Sequence, residues 1–111
     1  MKKRTSITLA ALVAFGLFAP SAQADIKKGQ KAYMKTCKKC HGNGTKGAAL
    51  KTQAEWKAAF ENDAKIFKSW HKDDPKADKF VHSKKFKKLA PHLKDFLYQY
   101  GSDSGNIPSC G

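Results

Sequence analysis

Gly29-Gln30-Lys31-Ala32-Tyr33-Met34-Lys35-Thr36-Cys37-Lys38-Lys39-Cys40-His41-Gly42 is the stretch that decides how this chain folds. Gly29, Tyr33 and Cys37 stand four residues apart and share one helix face, joined by Ile26 one turn earlier. A glycine on such a face lets a second helix approach closely. The helix runs directly into Cys-x-x-Cys-His. In a protein bound for an oxidising compartment, that run reads as a covalent attachment site for c-type haem. The Cys37 and Cys40 thiols add across the haem vinyl groups as thioethers, and His41 ligates the iron from one side. Zinc and thiol-redox readings of Cys-x-x-Cys need neither the adjoining histidine nor export.

Export is written upstream. Lys2, Lys3 and Arg4 precede an apolar run from Ile7 to Ala19, and Ala22-Gln23-Ala24 forms a small-x-small cleavage site. The run is too short to span a membrane and ends in a cleavage signal, so residues 1–24 read as a secretory signal peptide. The expected destination is the periplasm. No second apolar stretch follows, so the mature chain carries no membrane span. Residues 25–111 number 87, enough for one domain and too few for two. A domain of this size buries a modest core and needs a staple, which one covalently held haem c would supply.

The 111-residue chain has 22 basic and nine acidic side chains, a formal charge of +13. Loss of the leader removes three of the basic groups and leaves +10. Such a surface attracts anionic partners in a salt-dependent way. Nucleic acid is excluded as a target for an exported protein. Acidic redox proteins fit, as do anionic lipid headgroups in peripheral contact. A lysine coat that only maintains solubility is the competing explanation.

Downstream, His41–Gly47 reads as a loop with Gly42, Gly44 and Gly47 free to take positive φ. Thr52 and Glu55 have capping-box spacing and start a helix. Trp56, Phe60, Asp63, Phe67 and Trp70 continue it as one amphipathic stripe of about five turns. Asp73-Asp74-Pro75 ends that helix and starts the next. Phe80, Val81, Phe86 and Leu89 form a shorter apolar pattern. Pro91 suits the first turn of a last helix, with Leu93, Phe96, Leu97 and Tyr100 on its buried face and Gly101 as its C-terminal cap. No strand pattern is present, and the expected fold class is all-α.

These features resemble the class I cytochrome c family. Gly29-x-x-x-Tyr33-x-x-x-Cys37-x-x-Cys40-His41-Gly42 is similar to its N-terminal helix and haem motif. Leu93-x-x-Phe96-Leu97-x-x-Tyr100 is similar to its C-terminal helix, whose aromatic packs across the first helix at the glycine. The resemblance implies a small helical domain wrapped around covalent haem, attached at Cys37 and Cys40, with His41 as proximal ligand. It is specific only over residues 29–42. The family usually supplies a distal methionine from a later loop, and here the mature chain has only Met34, three residues before Cys37. Met34 reads as a packed helix residue.

Three histidines remain. His82 falls 41 residues after His41, about where the family's methionine would stand, and is the leading expectation for the distal ligand. His71 is the alternative, because it lies four residues after Phe67 and can share the haem-facing stripe. His92, beside Pro91, reads as structural or solvent-facing. Cys110 is left over once the haem takes two thiols, and reads as an incidental or dimer-forming thiol.

Two axial ligands leave no open site on the iron, so the expected chemistry is outer-sphere transfer of single electrons between redox partners. Lys38 and Lys39 would guide those partners to the haem edge. The alternative is a five-coordinate haem that binds NO, CO or peroxide. A haem-free thiol or metal module on Cys37 and Cys40 is a third reading, disfavoured because no βαβ pattern or additional soft ligands accompany the motif. No acid–base pair or nucleophile constellation stands out, so the chain reads as an electron-transfer protein and not an enzyme.

Overall fold

A computed structural model describes residues 25–109, and the expected signal peptide at 1–24 and Cys110 lie outside them. Six helices and no strand occur among the described residues: α1 (Ile26–Thr36), α2 (Lys38–His41), α3 (Gly44–Ala48), α4 (Gln53–Ser69), α5 (Pro75–Val81) and α6 (Lys84–Gln99). The all-α expectation holds.

Most boundaries are set by local chemistry. Asp25 caps α1 by accepting from the Lys27 and Lys28 amides. Thr52 and Glu55 form the full capping box at α4. Asp74 caps α5 with Pro75 in its first turn, where the missing N–H has no helical partner to lose. Ser83 caps α6 through the Phe86 amide.

α1 crosses α6 at Gly29. A Cβ there would sit 2.0 Å from the His92 carbonyl oxygen and 2.8 Å from the Phe96 Cβ. No side chain fits, which is why the crossing needs glycine. One turn on, Tyr33 packs its ring against Phe96 at 5.7 Å. Phe86, Leu93 and Phe96 are the largest fully buried side chains, so α6 forms the spine of the core.

Four expectations change. α6 begins at Lys84, with Pro91 inside it and not at its start. Phe86 and Leu93 then lie on one buried stripe seven residues apart. Pro91 faces solvent, so water reaches the Lys87 carbonyl that it leaves without a helical donor. Residues 44–48 form the short helix α3, capped by Asn43, inside the predicted loop. Only Gly42 of the three loop glycines has positive φ, at 82°. Gly47 is required for space instead, since a Cβ there would fall 1.9 Å from the Tyr33 hydroxyl. The C-cap of α6 is Tyr100, and Gly101 serves by fitting closely against the Gln53 amide.

The fourth change is the most consequential. α4 is not one continuous helix. Glu61 is extended, and Asn62, Asp63 and Ala64 all take left-handed backbone at φ 53°, 59° and 58°. Each such non-glycine residue costs roughly 1–2 kcal/mol. The break folds the chain so that Phe60 and Phe67 stack at 4.7 Å, although seven residues of straight helix would rise about 10 Å. Phe67 stacks in turn on Phe86 at 5.6 Å, docking the second half of α4 on α6. The irregular tail returns to the body, with the Ser102 amide donating to the Lys51 carbonyl and Asp103 accepting from the Gln53 amide.

Candidate haem site

The Cys-x-x-Cys-His run is held by short-range contacts. The Cys37 amide donates to the Tyr33 carbonyl and ends α1, and α2 carries Cys40 and His41 round a single turn. Gly42, with its positive φ, lets the chain leave immediately after His41. The Tyr33 hydroxyl donates towards the Gly42 and Asn43 carbonyls at 2.8 and 3.2 Å, tying α1 to this exit. Burial, with the Cys37 sulfur adding to it, pushes the Tyr33 phenol up to about 12. It therefore remains a donor across the ordinary pH range.

The second half of α4 faces this turn. The His41 and His71 ring centroids are 6.1 Å apart with their planes at 89°. His71 places Nδ1 2.8 Å from the Phe67 carbonyl. A carbonyl only accepts, so Nδ1 carries the proton and Nε2 is left with its lone pair. Burial and the nearby His71 both lower the His41 pKa, favouring the neutral imidazole that a metal needs.

Two adjoining cavities of about 300 and 470 Å³ meet here, within the range of roughly 300–1,000 Å³ usual for small-molecule and cofactor sites. Both are lined by Cys37, His41, Phe67, Trp70 and His71. Trp56, Leu50 and Leu97 add apolar wall to one, and Phe80, Val81 and Leu93 to the other. The Trp56 indole N–H is committed to the Ala48 carbonyl at 2.8 Å, so the ring presents its apolar surface to the cavity. Thiols on one edge, a neutral imidazole and aromatic walls fit a flat, largely apolar macrocycle. They suit a redox thiol pair less well. Burial raises the Cys37 thiol, partly offset by the Thr36 hydroxyl, whereas a reactive thiol needs a lowered pKa.

The expected facing of His41 by His82 is not formed. His82 is the C-cap of α5, exposed, with Nδ1 2.9 Å from the Asp78 carbonyl and 3.5 Å from its carboxylate. It lines a separate polar depression of about 390 Å³ with Lys65, Lys68, Lys72, Asp63 and Asp78. The reason is local, since Ser83 caps α6 at once and leaves no loop to carry His82 inward. His71, the alternative expectation, takes the place opposite His41. His92 is structural, accepting at Nδ1 from the Asp25 amide at 2.9 Å. Met34 packs against the core. Lys38 and Lys39 are exposed on α2, and Lys39 also borders the larger cavity.

Sequence reasoning did not single out Leu50 or Lys51. Lys51 holds its ammonium 4.7 Å above the Trp70 ring at the rim of the smaller cavity. Only the short loop before the Thr52 cap pointed towards them.

The family model described as cytochrome C oxidase, cbb3-type, subunit III matches residues 24–93, a span that holds Cys37, Cys40, His41 and His71. No curated protein and no solved structure gave a match. With well over half of its length matched, and an all-α frame with an apolar slot at its Cys-x-x-Cys-His turn, the chain belongs to this family of c-type cytochromes.

Proposed function

We propose that the protein is an exported carrier of single electrons with one haem c, bonded to Cys37 and Cys40 and ligated by His41. Membership of a c-type cytochrome family makes haem-based electron transfer the coarse function. The observation that carries the finer reading is the pair of apolar cavities meeting at Cys37 and His41. Bound there, the haem supplies a reversible one-electron couple.

The chain's own residues do the rest. Tyr33 and Gly42 fix the direction of the His41 turn. Phe67, Trp56 and Leu93 line the slot with apolar surface, and a low local dielectric influences the potential. Lys38 and Lys39, exposed beside the motif, suit partners with acidic docking surfaces, and the residues 1–24 supply the leader that suits a periplasmic protein. An open haem that binds NO, CO or peroxide is the second reading, and the closeness of the His71 ring to that of His41, 6.1 Å between centroids, favours the electron carrier over it.

The test is covalency. Full-length chain produced with a haem-attachment system should yield one haem per polypeptide that survives denaturation and acid–organic extraction. Cys37→Ser and Cys40→Ser should each lose one thioether. Complete extraction of haem from the unmutated protein, or a preparation without haem, would overturn the reading. Detection of the mature N-terminus at Asp25 in a periplasmic fraction checks the export step separately.

A further inference from the structure

We infer that His71 is the second axial ligand of the iron, opposite His41, and this rests on the haem reading above. Metal–imidazole bonds of about 2 Å on opposite sides of one ion place the two ring centroids about 6 Å apart. The observed separation is 6.1 Å. Two side chains, from α2 and from the turn just after α4, thirty residues apart in sequence, meet at a spacing suited to a shared ion.

Three further observations point the same way. His71 donates Nδ1–H to the Phe67 carbonyl at 2.8 Å, the outer-shell bond that fixes a ligand histidine's tautomer and ring direction. That bond leaves Nε2 as the ligating atom. The Phe67 ring lies 4.7 Å from the imidazole and buttresses it. His41 and His71 also line both cavities together, so a group lying across the two would meet both imidazoles. The other donors stand away from the slot: His82 is exposed and lines the separate polar depression, His92 accepts from the Asp25 amide, and Met34 packs against the core.

The left-handed break at Asn62–Ala64 gives this arrangement its cause. It turns the second half of α4 back over Phe60, so that Phe67 and His71 reach the slot. Both ligands are then imidazoles, and the reduction potential should lie below that of a His/Met centre, because an axial methionine raises it.

The experiment uses the full chain with its covalent haem, compared as unmutated protein, His71→Ala and His82→Ala. The unmutated protein should be low-spin in both oxidation states, fail to bind CO when reduced, and show the near-infrared charge-transfer band of bis-imidazole ligation when oxidised. His71→Ala should keep its covalent haem, turn high-spin and bind CO, and regain the low-spin spectrum on addition of imidazole. His82→Ala should match the unmutated protein. A low-spin, CO-resistant His71→Ala, or loss of the low-spin spectrum in His82→Ala, would overturn the inference. So would an unmutated protein that is high-spin and binds CO. The near-infrared band of the unmutated protein tests the assignment even if His71→Ala does not fold. Absence of covalent haem in every sample would sink the haem reading itself, an outcome separate from loss of one ligand.

Discussion

The two imidazoles that face each other are held by opposite means. His41 sits in a turn governed by its neighbours: the Cys37 C-cap, positive φ at Gly42, and the Tyr33 hydroxyl on the next two carbonyls. His71 is held by contacts from afar. Its segment leaves helical geometry through three left-handed non-glycine residues and is fixed by stacking of Phe67 on Phe60 and Phe86. Strain of roughly 1–2 kcal/mol per left-handed residue must be offset by that stacking. The difference teaches that one wall of the site is specified locally and the other only once α6 is in place.

The largest effect should come from removing the contact that holds the second wall. Phe67→Ala deletes a buried ring that touches Phe60, Phe86 and His71, and should cost about 3–5 kcal/mol in urea unfolding. The covalent haem content should stay unchanged, because the His41 turn does not depend on that ring. Equal loss of haem attachment would show that the two walls form together. Next comes Gly29→Val, which forces side-chain atoms into the His92 carbonyl and the Phe96 Cβ. Backbone cannot rotate away as a side chain would, so a cost of about 3 kcal/mol is expected, read as a drop in Tm. This change strikes the frame beneath both walls.

Tyr33→Phe sharpens the comparison on the His41 side. It leaves the Gly42 and Asn43 carbonyls without their donor and should cost about 1–3 kcal/mol. It also has a pH signature. The fold favours the neutral phenol, whose pKa rises from the ordinary 10.0 to about 12. Its contribution is therefore complete below pH 10, declines between 10 and 12, and is gone above the folded value. The measurement is the difference between the unmutated protein and Tyr33→Phe. Parallel stability curves through that window would show that the phenol is not shielded.

The same contrast explains what could be read from the residues alone. Gly29, Tyr33, the Thr52–Glu55 box and the Asp74-Pro75 start are rules of a few residues, and all appear where expected. The break in α4 was hidden because the aromatic stripe resumes in helical step after it and no glycine or proline marks it. Asn62-Asp63 was the faint signal, as these residues tolerate left-handed backbone better than most. Ala64, a strong helix former, pointed the other way. The choice of His82 followed from counting along the chain from His41. Distance along the chain does not show that the break brings a nearer residue, His71, beside the motif. Pro91 was misplaced for a related reason, since which face of α6 it occupies depends on packing and not on its neighbours.

The smallest predicted effect isolates the break itself. Asn62 is exposed and has φ 53°, so replacing it with glycine relieves a left-handed residue without disturbing the core. The change also gives the unfolded chain more freedom, which offsets part of the gain. A net stabilisation of a few tenths to about 1 kcal/mol is expected. Lys31, exposed in the middle of α1, supplies the control. There glycine meets ordinary helical backbone and should destabilise by roughly 1 kcal/mol. The two substitutions should therefore have opposite signs in the same denaturation assay. If Asn62→Gly costs as much as Lys31→Gly, α4 runs through as a continuous helix, and the turn that brings His71 to face His41 is not there.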